Sequence, residues 1–340
     1  MQGAKPIFAD DGTVQVPAFE LPPSSYASAE ARAMLALRAK IPGGAPPADG
    51  DIVQVRADLE AMMQPQVERM HARYPVDIAD GEIGGVRVRE ITPKGGAPDP
   101  ERVLVNLHGG AFCMCADACG LLESLPLAAL GGWRVVAVDY RMAPEHAHPA
   151  ALEDVEAVYR ALLDSYAPGR IGLFGCSAGG VLSGQAAAWL PARGLPQCGA
   201  IGIFGAGASY FGRGDSAYIA GYVSGSFPPP RRRDETRGLQ LDRGYFASAD
   251  LAGPEVSPAF HPDVLARFPP TLIVTGTRAM DMSPAIVTNS ALIKAGISST
   301  LIVGEGMDHC YIYQTDLPEA RDAHQAIVAF FRRQLNQEQG

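Results

Sequence analysis

The chain has 340 residues, of which 47% are hydrophobic and 19% charged, and its formal net charge is −9 at pH 7. This composition is typical of a globular protein and excludes a disordered or fibrous chain, while the negative charge disfavours nucleic acid as a partner. No apolar run reaches the length of about 18 residues that a membrane span needs, so we expect no stable membrane insertion. No apolar segment near the N-terminus resembles a signal peptide, and we therefore expect a cytoplasmic protein.

The first part of the chain carries helical patterns. Apolar and polar residues alternate with helical periodicity over 27–40, and a second helix is predicted over 52–73. The Pro/Gly-rich stretch 42–50 connects them. We assign residues 1–75 to the N-terminal helical part of a cap.

From residue 76 onward, short apolar runs alternate with helical segments. Strands are predicted over 86–91, 103–107, 135–138, 171–174, 201–204, 272–274 and 301–303. Helices are predicted over 118–130, 153–165, 178–190, 284–295 and 318–334, the fourth with Ser283 as N-cap and Pro284 as first residue. Continuous Val/Ile/Leu runs between helices indicate an α/β protein with a doubly wound parallel sheet covered on both faces.

One connection is too long for a simple loop. Residues 208–253 lie between two predicted strands, are rich in Gly, Pro and aromatic residues, and show no strand pattern. Long excursions of this kind are usually lids or binding loops. We therefore assign 208–253 to an inserted cap segment and 76–207 with 254–340 to the catalytic domain; the basic run Arg231–Arg233 within the insert is interpreted as a solvated loop.

A nucleophile elbow is predicted at Gly175–Gly179, which fits the pattern G-x-S-x-G. The pattern follows a buried strand and precedes a helix, which is the setting that lifts a serine hydroxyl above a sheet. Ser177 is thus the candidate nucleophile. Ala178, next in sequence, would offer its backbone N–H to a developing oxyanion.

A second glycine-rich turn follows the strand 103–107. Its residues after His108 are small, so that the backbone N–H groups of Gly109, Gly110 and Ala111 can approach a reacting carbonyl oxygen. We predict that these three and Ala178 form an oxyanion hole. His108 itself is interpreted as a residue that orients the loop.

The candidate general base is His309, in a loop that follows the last predicted strand. A histidine after the serine in sequence, with an acid between them, is the order of an α/β-hydrolase triad. The remaining histidines lack this placement, namely His71, His146, His148, His261 and His324.

The six cysteines are sparse and unevenly spaced, and we expect all of them to be free thiols. They are Cys113, Cys115, Cys119, Cys176, Cys198 and Cys310. The first three are close in sequence, but they lack a fourth ligand and the C-x2-C spacing of zinc sites. We predict no metal site.

Taken together, the ordered motifs resemble the bacterial hormone-sensitive-lipase-like esterases of the α/β-hydrolase superfamily, from about residue 86 to 330. The motifs are His108–Phe112, Tyr140–His146, Pro149–Asp154, Gly175–Gly180, Ser257–Pro258, Phe268–Pro270 and Glu305–His309. The resemblance implies an eight-stranded, mostly parallel sheet with a helical cap, and hydrolysis of short or medium acyl esters without a cofactor, often by a dimer. The chain departs from the family pattern at Ala111, where a third glycine is usual, and at Cys176, where an acidic residue is usual.

The acid of the triad is assigned to Asp281. The family acid usually stands where this chain has Ala279, so the assignment also rests on elimination, because Asp281 is the only carboxylate between Phe268 and Gly304. The loop after the strand 272–274 should face the same crevice as the elbow. Glu305 and Asp308 are the rival candidates.

The sequence therefore predicts a serine carboxylesterase with a Ser177–His309–Asp281 triad, a covalent acyl-enzyme and a small-molecule ester as substrate. An amidase, a lactonase or a carbamate hydrolase could use the same residues on a different bond. A receptor that has lost catalysis is the alternative from a different class, although the serine, the histidine and the oxyanion turn are all present.

Overall fold

The computed structural model describes residues 5–37, 50–96, 98–210, 214–224 and 242–336. The strands in this part of the chain are β1 (Ile7–Phe8), β2 (Val14–Gln15), β3 (Val76–Ile83), β4 (Val86–Pro93), β5 (Val103–Leu107), β6 (Arg134–Val138), β7 (Ile171–Cys176), β8 (Ala200–Phe204), β9 (Thr271–Gly276) and β10 (Ser299–Gly304). The helices are α1 (Ala29–Leu37), α2 (Ile52–Arg73), α3 (Ala116–Gly131), α4 (Ala150–Leu162), α5 (Ala178–Ala192), α6 (Asp215–Val223), α7 (Pro262–Leu265), α8 (Met282–Lys294) and α9 (Pro318–Gln334).

Within the described residues, the main sheet has eight strands in the order β10-β9-β8-β7-β5-β6-β4-β3. The six strands from β10 to β6 are parallel to their neighbours, whereas β4 is antiparallel to both β6 and β3. The chain leaves β5 for β6 on one side and returns to β7 on the other. This reversal opens a crevice at the carboxyl ends of β5 and β7, where open α/β sheets bind their ligands.

The central strands are buried along their whole length because helices cover both faces of the sheet. Every residue of β5, β7, β8 and β9 is buried. Helix α3 packs with α9, while α4 packs with α5 and α5 lies against β7 and β8. The apolar runs without alternation that predicted these strands are the direct result of burial on two faces.

All seven predicted strands and the doubly wound α/β class are confirmed, but the sequence pattern missed three strands: the two-residue β1 and β2, which pair with each other outside the main sheet, and β3. This edge strand contains Asp77, Asp80 and Glu82 and is mostly exposed, so it has no apolar run. Its register with β4 pairs Ile83 with Val86, and the two glycines between them both have positive φ. A two-residue Gly-Gly turn of this kind is a strong hairpin signal, and it was present in the sequence.

The predicted helices are found with small shifts at their ends, and α2 spans the range expected of it. Residues 38–40, the predicted end of the first helix, lie outside the described residues. The predicted start of α8 at Pro284 is wrong, because the helix begins at Met282 and Asp281 occupies its N-cap position. The side chain of Asp281 does not cap the helix. Its carboxylate oxygens contact His309 and Thr275 instead.

The insert 208–253 is described only in part, and the domain boundaries remain predictions. Its described residues include helix α6 and the segment from Asp242 onward. The basic run Arg231–Arg233 lies outside the described residues. In the part of the chain that the structure covers, no helix is both long enough and apolar enough to cross a membrane.

Candidate active site

The candidate residues lie in four loops that leave the carboxyl ends of parallel strands. The oxyanion turn follows β5, Ser177 follows β7, Asp281 follows β9 and His309 follows β10. Because parallel strands all end at the same edge of a sheet, residues that are far apart in sequence meet there. The structure brings the three predicted triad residues together at this edge.

Ser177 occupies a sharp turn between β7 and α5. Its backbone has φ 58° and ψ −120°, an uncommon conformation for a residue with a side chain. A Cβ atom at Gly179 would lie 1.6 Å from the carbonyl oxygen of Leu107, so only glycine permits this approach of the elbow to β5. The backbone N–H of Ser177 donates to the carbonyl of Phe204 at 2.8 Å and fixes the turn.

Hydrogen bonds join the serine, the histidine and the acid in series. Ser177 Oγ lies 3.0 Å from Nε2 of His309, and Nδ1 of the same ring lies 2.6 Å from Oδ1 of Asp281. The other carboxylate oxygen of Asp281 accepts a hydrogen bond of 2.5 Å from the hydroxyl of Thr275 on β9. Asp281 is 3% exposed, so little water competes for these bonds.

The surroundings of His309 shift its protonation. Burial alone would lower the pKa of His309, but the hydrogen bond and the negative charge of Asp281, helped by the charge of Asp308, raise it above its usual value of 6.5. The buried carboxylate thus favours the imidazolium form. Because the protonated form of His309 is stabilised, the neutral ring is a stronger base toward Ser177.

The two rival acids are placed differently. Oδ1 of Asp308 accepts a hydrogen bond from the backbone N–H of His309 at 2.7 Å. Glu305 is exposed to solvent. The carboxylate on the imidazole is that of Asp281, two positions beyond Ala279, because the turn after β9 brings its side chain back over Thr275.

The oxyanion turn has an unusual backbone. Gly110, Ala111 and Phe112 all have positive φ, of 109°, 54° and 60°. In the part of the chain that the structure describes, no hydrogen bond uses the backbone N–H of Gly110, Ala111 or Ala178 as donor. These three groups can therefore receive a developing negative charge.

Gly109 differs from the prediction. Its N–H donates to Oε1 of Glu123 at 3.0 Å, which directs this group into the protein interior. This corrects the assignment of Gly109 as an oxyanion donor. The hydrogen bond was not foreseen because Glu123 lies fourteen residues further along the chain, in the middle of α3.

His108 orients the turn, as predicted from the sequence. Its ring stacks on that of Tyr140 with centroids 4.1 Å apart, and the Tyr140 hydroxyl donates to the carbonyl of His108 at 2.7 Å. Burial lowers the pKa of His108 to about 4. A ring that is neutral at physiological pH and held in this way supports the backbone of the turn.

The expectation that all six cysteines are free thiols is wrong for four of them. Cys176 and Cys310 form a disulfide, and Cys115 and Cys119 form a second one at the start of α3. Cys113 and Cys198 are outside both disulfides and are buried. Cys176 precedes Ser177 and Cys310 follows His309, so the approach of serine and histidine also brings these cysteines together.

Two further residues of the site escaped the sequence pattern. Thr275 contacts the acid and Glu123 contacts the oxyanion turn. Thr275 is an ordinary strand residue and gives no signal. Glu123 could have been noticed, because it is the one charged residue in the mostly apolar stretch Gly120–Leu130.

Aromatic side chains join the oxyanion turn to the end of the insert. The ring of Phe112 stacks on Tyr245 at 4.8 Å and meets the edge of Phe246 at 5.0 Å. Tyr210, near the start of the insert, contacts Phe246 as well. The described ends of the insert are thus anchored beside the crevice. Residues 211–213 and 225–241 of the insert lie outside the described residues.

Other chemistry-bearing clusters lie apart from the triad. A cavity of about 340 Å³ at the antiparallel edge of the sheet is lined by Asp80, Arg87, Asp117 and Asp139 among others, and by no triad residue. Arg89 pairs with Asp80 and Asp117 there. Among the described residues, no group of three or more His, Cys, Asp or Glu side chains has the arrangement of a metal site.

Comparisons with known proteins identify the family. A family model described as the alpha/beta hydrolase fold matches residues 104–313. The chain is 32% identical over 241 residues to an acetyl-hydrolase of Streptomyces hygroscopicus, in an alignment that covers 68% of this chain and 75% of that protein. It is 25% identical over 280 residues to an esterase of Acinetobacter venetianus, with 79% of this chain and 87% of that protein covered.

Solved structures give the same result. The crystal structure of esterase E25 superposes with a TM-score of 0.79 at 30% identity and covers 95% of this chain and 99% of its own. An esterase of the bacterial hormone-sensitive lipase family superposes with a TM-score of 0.75 at 26% identity, with 90% and 97% covered. The chain belongs to the α/β-hydrolase family, among the bacterial hormone-sensitive-lipase-like esterases.

Proposed function

We propose that the protein is a serine carboxylesterase that hydrolyses short- to medium-chain acyl esters through a covalent acyl-enzyme. The observation that carries this proposal is the hydrogen-bonded series from Ser177 through His309 to Asp281, with distances of 3.0 and 2.6 Å. It lies beside three backbone N–H groups without a partner in the described part of the chain. Nucleophile, base, orienting acid and oxyanion donors are the complete set that acyl transfer requires.

In the first half of the reaction, Ser177 Oγ attacks the ester carbonyl and its proton passes to Nε2 of His309. The proton on Nδ1 is held by Asp281, which leaves Nε2 as the acceptor. The carbonyl oxygen becomes an oxyanion that accepts hydrogen bonds from Gly110, Ala111 and Ala178. When the tetrahedral intermediate collapses, the C–O bond to the alcohol breaks and Nε2 returns its proton to the leaving alcohol.

In the second half, water takes the place of the alcohol. His309 accepts a proton from the water as its oxygen attacks the acyl carbonyl. The second tetrahedral intermediate expels Ser177, which recovers its proton from Nε2, and the carboxylic acid leaves. Every proton and electron pair is accounted for by Ser177, His309, the ester and water.

The substrate class rests on the walls of the crevice. The aromatic side chains of Phe112, Tyr210 and Phe246 pack against each other next to the oxyanion turn. We propose that the N-terminal helices and the insert close over the crevice as a cap. A covered crevice of this kind limits the acyl chain it can hold.

The test is a series of p-nitrophenyl esters from acetate upward, compared with matched p-nitroanilides, on the native enzyme and on Ser177→Ala. We expect ester turnover well above anilide turnover, and an acyl adduct on Ser177 by mass spectrometry after rapid acid quench. Ser177→Ala should lower kcat by roughly 10⁴- to 10⁶-fold with little change in binding. A variant that keeps more than about a tenth of native turnover would refute the assignment, and preferential anilide cleavage would establish an amidase.

A further inference from the structure

Glu123 is a buried carboxylate that the proposed mechanism does not use. It lies in the middle of α3, is 2% exposed, and has Leu122 and Leu125, both fully buried, on the same helix. Burial of a carboxylate is unfavourable unless hydrogen bonds compensate for the lost water. A glutamate at this depth therefore requires an explanation.

Four donors surround the carboxylate of Glu123. Oε1 accepts from the backbone N–H of Gly109 at 3.0 Å and from the hydroxyl of Tyr313 at 2.6 Å. Oε2 accepts from the side-chain amide of Asn106 at 2.7 Å and from the backbone N–H of Cys176 at 3.0 Å. These donors come from the end of β5, the oxyanion turn, the elbow and the turn that follows His309.

Two of these hydrogen bonds lie directly beside the oxyanion donors. Gly109 precedes Gly110 and Ala111, which form one side of the hole, and Cys176 is two residues before Ala178, which forms the other side. An oxyanion hole functions only when its donors stand at fixed distances from the reacting oxygen. One carboxylate on α3 thus connects the two backbone segments whose separation defines the hole.

We propose that Glu123 is a positioning residue that sets the distance between the two sides of the oxyanion hole. The inference rests on the proposed function, because it takes Gly110, Ala111 and Ala178 as the oxyanion donors. Glu123 acts through the backbones of Gly109 and Cys176 and does not touch the substrate.

The ionised form is the one that fits these four donors. Each oxygen of a carboxylate can accept two hydrogen bonds. Oε1 faces the backbone N–H of Gly109 and Oε2 faces that of Cys176, and neither N–H can accept, so a proton on either oxygen would compete with one of these two bonds. Burial raises the pKa of Glu123 to about 7, against the opposing effect of the four donors, of which Tyr313 and Asn106 contribute most. At pH 8 the ionised form predominates.

The test variant is Glu123→Gln, which keeps the size of the side chain but turns an amide NH2 toward two of the four donors. We expect kcat for a p-nitrophenyl ester at pH 8 to fall by about 30- to 300-fold, close to the loss of one oxyanion donor, while KM changes less than about threefold. The affinity for a trifluoromethyl ketone, whose adduct with Ser177 carries an oxyanion, should fall by the same factor as kcat/KM.

Two further variants separate positioning from general destabilisation. Asp154→Asn removes another buried carboxylate, whose side-chain hydrogen bonds go to Arg141 and not to the oxyanion turn or the elbow. We expect a lower melting temperature with kcat within about threefold of native. Tyr313→Phe removes one donor and leaves the carboxylate in place. We expect about a threefold to tenfold loss in both kcat and ketone affinity for Tyr313→Phe. If Glu123→Gln does not fold, Tyr313→Phe tests the proposal in its place.

The inference is overturned if Glu123→Gln folds and keeps native kcat and ketone affinity. It is also overturned if kcat falls while ketone affinity stays native, because a displaced oxyanion hole must weaken both. If Glu123→Gln fails to fold, native values of both in Tyr313→Phe overturn it. These results leave the proposed function intact, which fails instead if Ser177→Ala stays active.

Discussion

At the scale of single residues, the site depends on side chains whose properties come from their neighbours. Ser177 has no unusual chemistry of its own, and its reactivity is expected from the imidazole 3.0 Å away. The imidazole in turn is oriented by Asp281, whose second oxygen is fixed by Thr275. Each group is held by the next one, so a substitution at any of them should disturb the whole series.

Replacement of the acid tests its assignment. We expect Asp281→Asn to lower kcat by roughly 10²- to 10⁴-fold, since an amide cannot stabilise the imidazolium and favours the wrong tautomer of the ring. The matched control is Glu305→Gln, which changes an exposed carboxylate in the loop that carries His309 and should leave kcat within about twofold. Steady-state kinetics with an activated ester provide the measurement. A fully active Asp281→Asn beside an inactive, folded Glu305→Gln would make Glu305 the acid.

The pH dependence follows from the raised pKa of His309. The ring must be neutral to accept the serine proton, so kcat/KM should increase with pH as the imidazolium loses its proton. Because Asp281 and Asp308 raise this pKa, the midpoint should lie above 6.5. Glu123 titrates near the same pH, at about 7. Because Asp281 raises the pKa of His309, the residual activity of Asp281→Asn should show the His309 transition at lower pH. A rate independent of pH between about 5 and 9 in the native enzyme would contradict a histidine base.

At the scale of elements, four loops and one helix build the site, and the disulfide between Cys176 and Cys310 joins two of those loops. It connects the elbow after β7 to the histidine loop after β10 across 134 residues of sequence. The disulfide between Cys115 and Cys119 spans only four. Cross-links that close long loops restrict the unfolded chain more than short ones do.

Removal of the long-range disulfide should reduce stability more than removal of the short one. We expect Cys176→Ala/Cys310→Ala to lower the free energy of unfolding by roughly 2–5 kcal/mol, and Cys115→Ala/Cys119→Ala, the matched control, by roughly 2 kcal/mol or less. Denaturant unfolding measures both. A thiol reagent should label only Cys113 and Cys198 in denatured, unreduced protein. Labelling of all six cysteines would show that neither disulfide forms.

At the scale of the whole molecule, the sheet places the candidate site, and both segments proposed as a cap contact the rest of the chain near it. Helix α2 is fixed to the catalytic domain by Arg56, which donates to the carbonyls of Cys113 and Ala143 and pairs with Glu145. The described end of the insert is held by the aromatic contacts of Tyr245 and Phe246 with Phe112. Both proposed parts of the cap thus contact the loop between β5 and α3, which carries the predicted oxyanion donors.

The proposed cap leads to an expected preference among substrates. We expect the highest kcat/KM for acyl chains of about two to eight carbons, because a closed cap leaves a pocket of limited volume. Rates on the p-nitrophenyl ester series and on emulsified long-chain triglycerides provide the comparison. Faster hydrolysis of the triglycerides than of butyrate or hexanoate esters would indicate a lipase with an open site.

The sequence by itself determined the α/β class, seven strands, the elbow, the oxyanion turn and the histidine loop. Each of these depends on local chemistry: uninterrupted apolar runs, glycines where the backbone turns sharply, and a serine between a strand and a helix. Asp281 was also within reach, because it is the only carboxylate in its loop. The pattern missed β3 since an edge strand with exposed acidic residues has no apolar run.

Only the tertiary structure decided how distant residues combine. The direction of the Gly109 N–H depends on Glu123, the hydrogen bond of Asp281 depends on the true start of α8 and on Thr275, and the pairing of Cys176 with Cys310 depends on the approach of serine and histidine. None of these has a local signal, because hydrogen bonds and disulfides depend on distances in space, and the order of the strands in the sheet sets those distances.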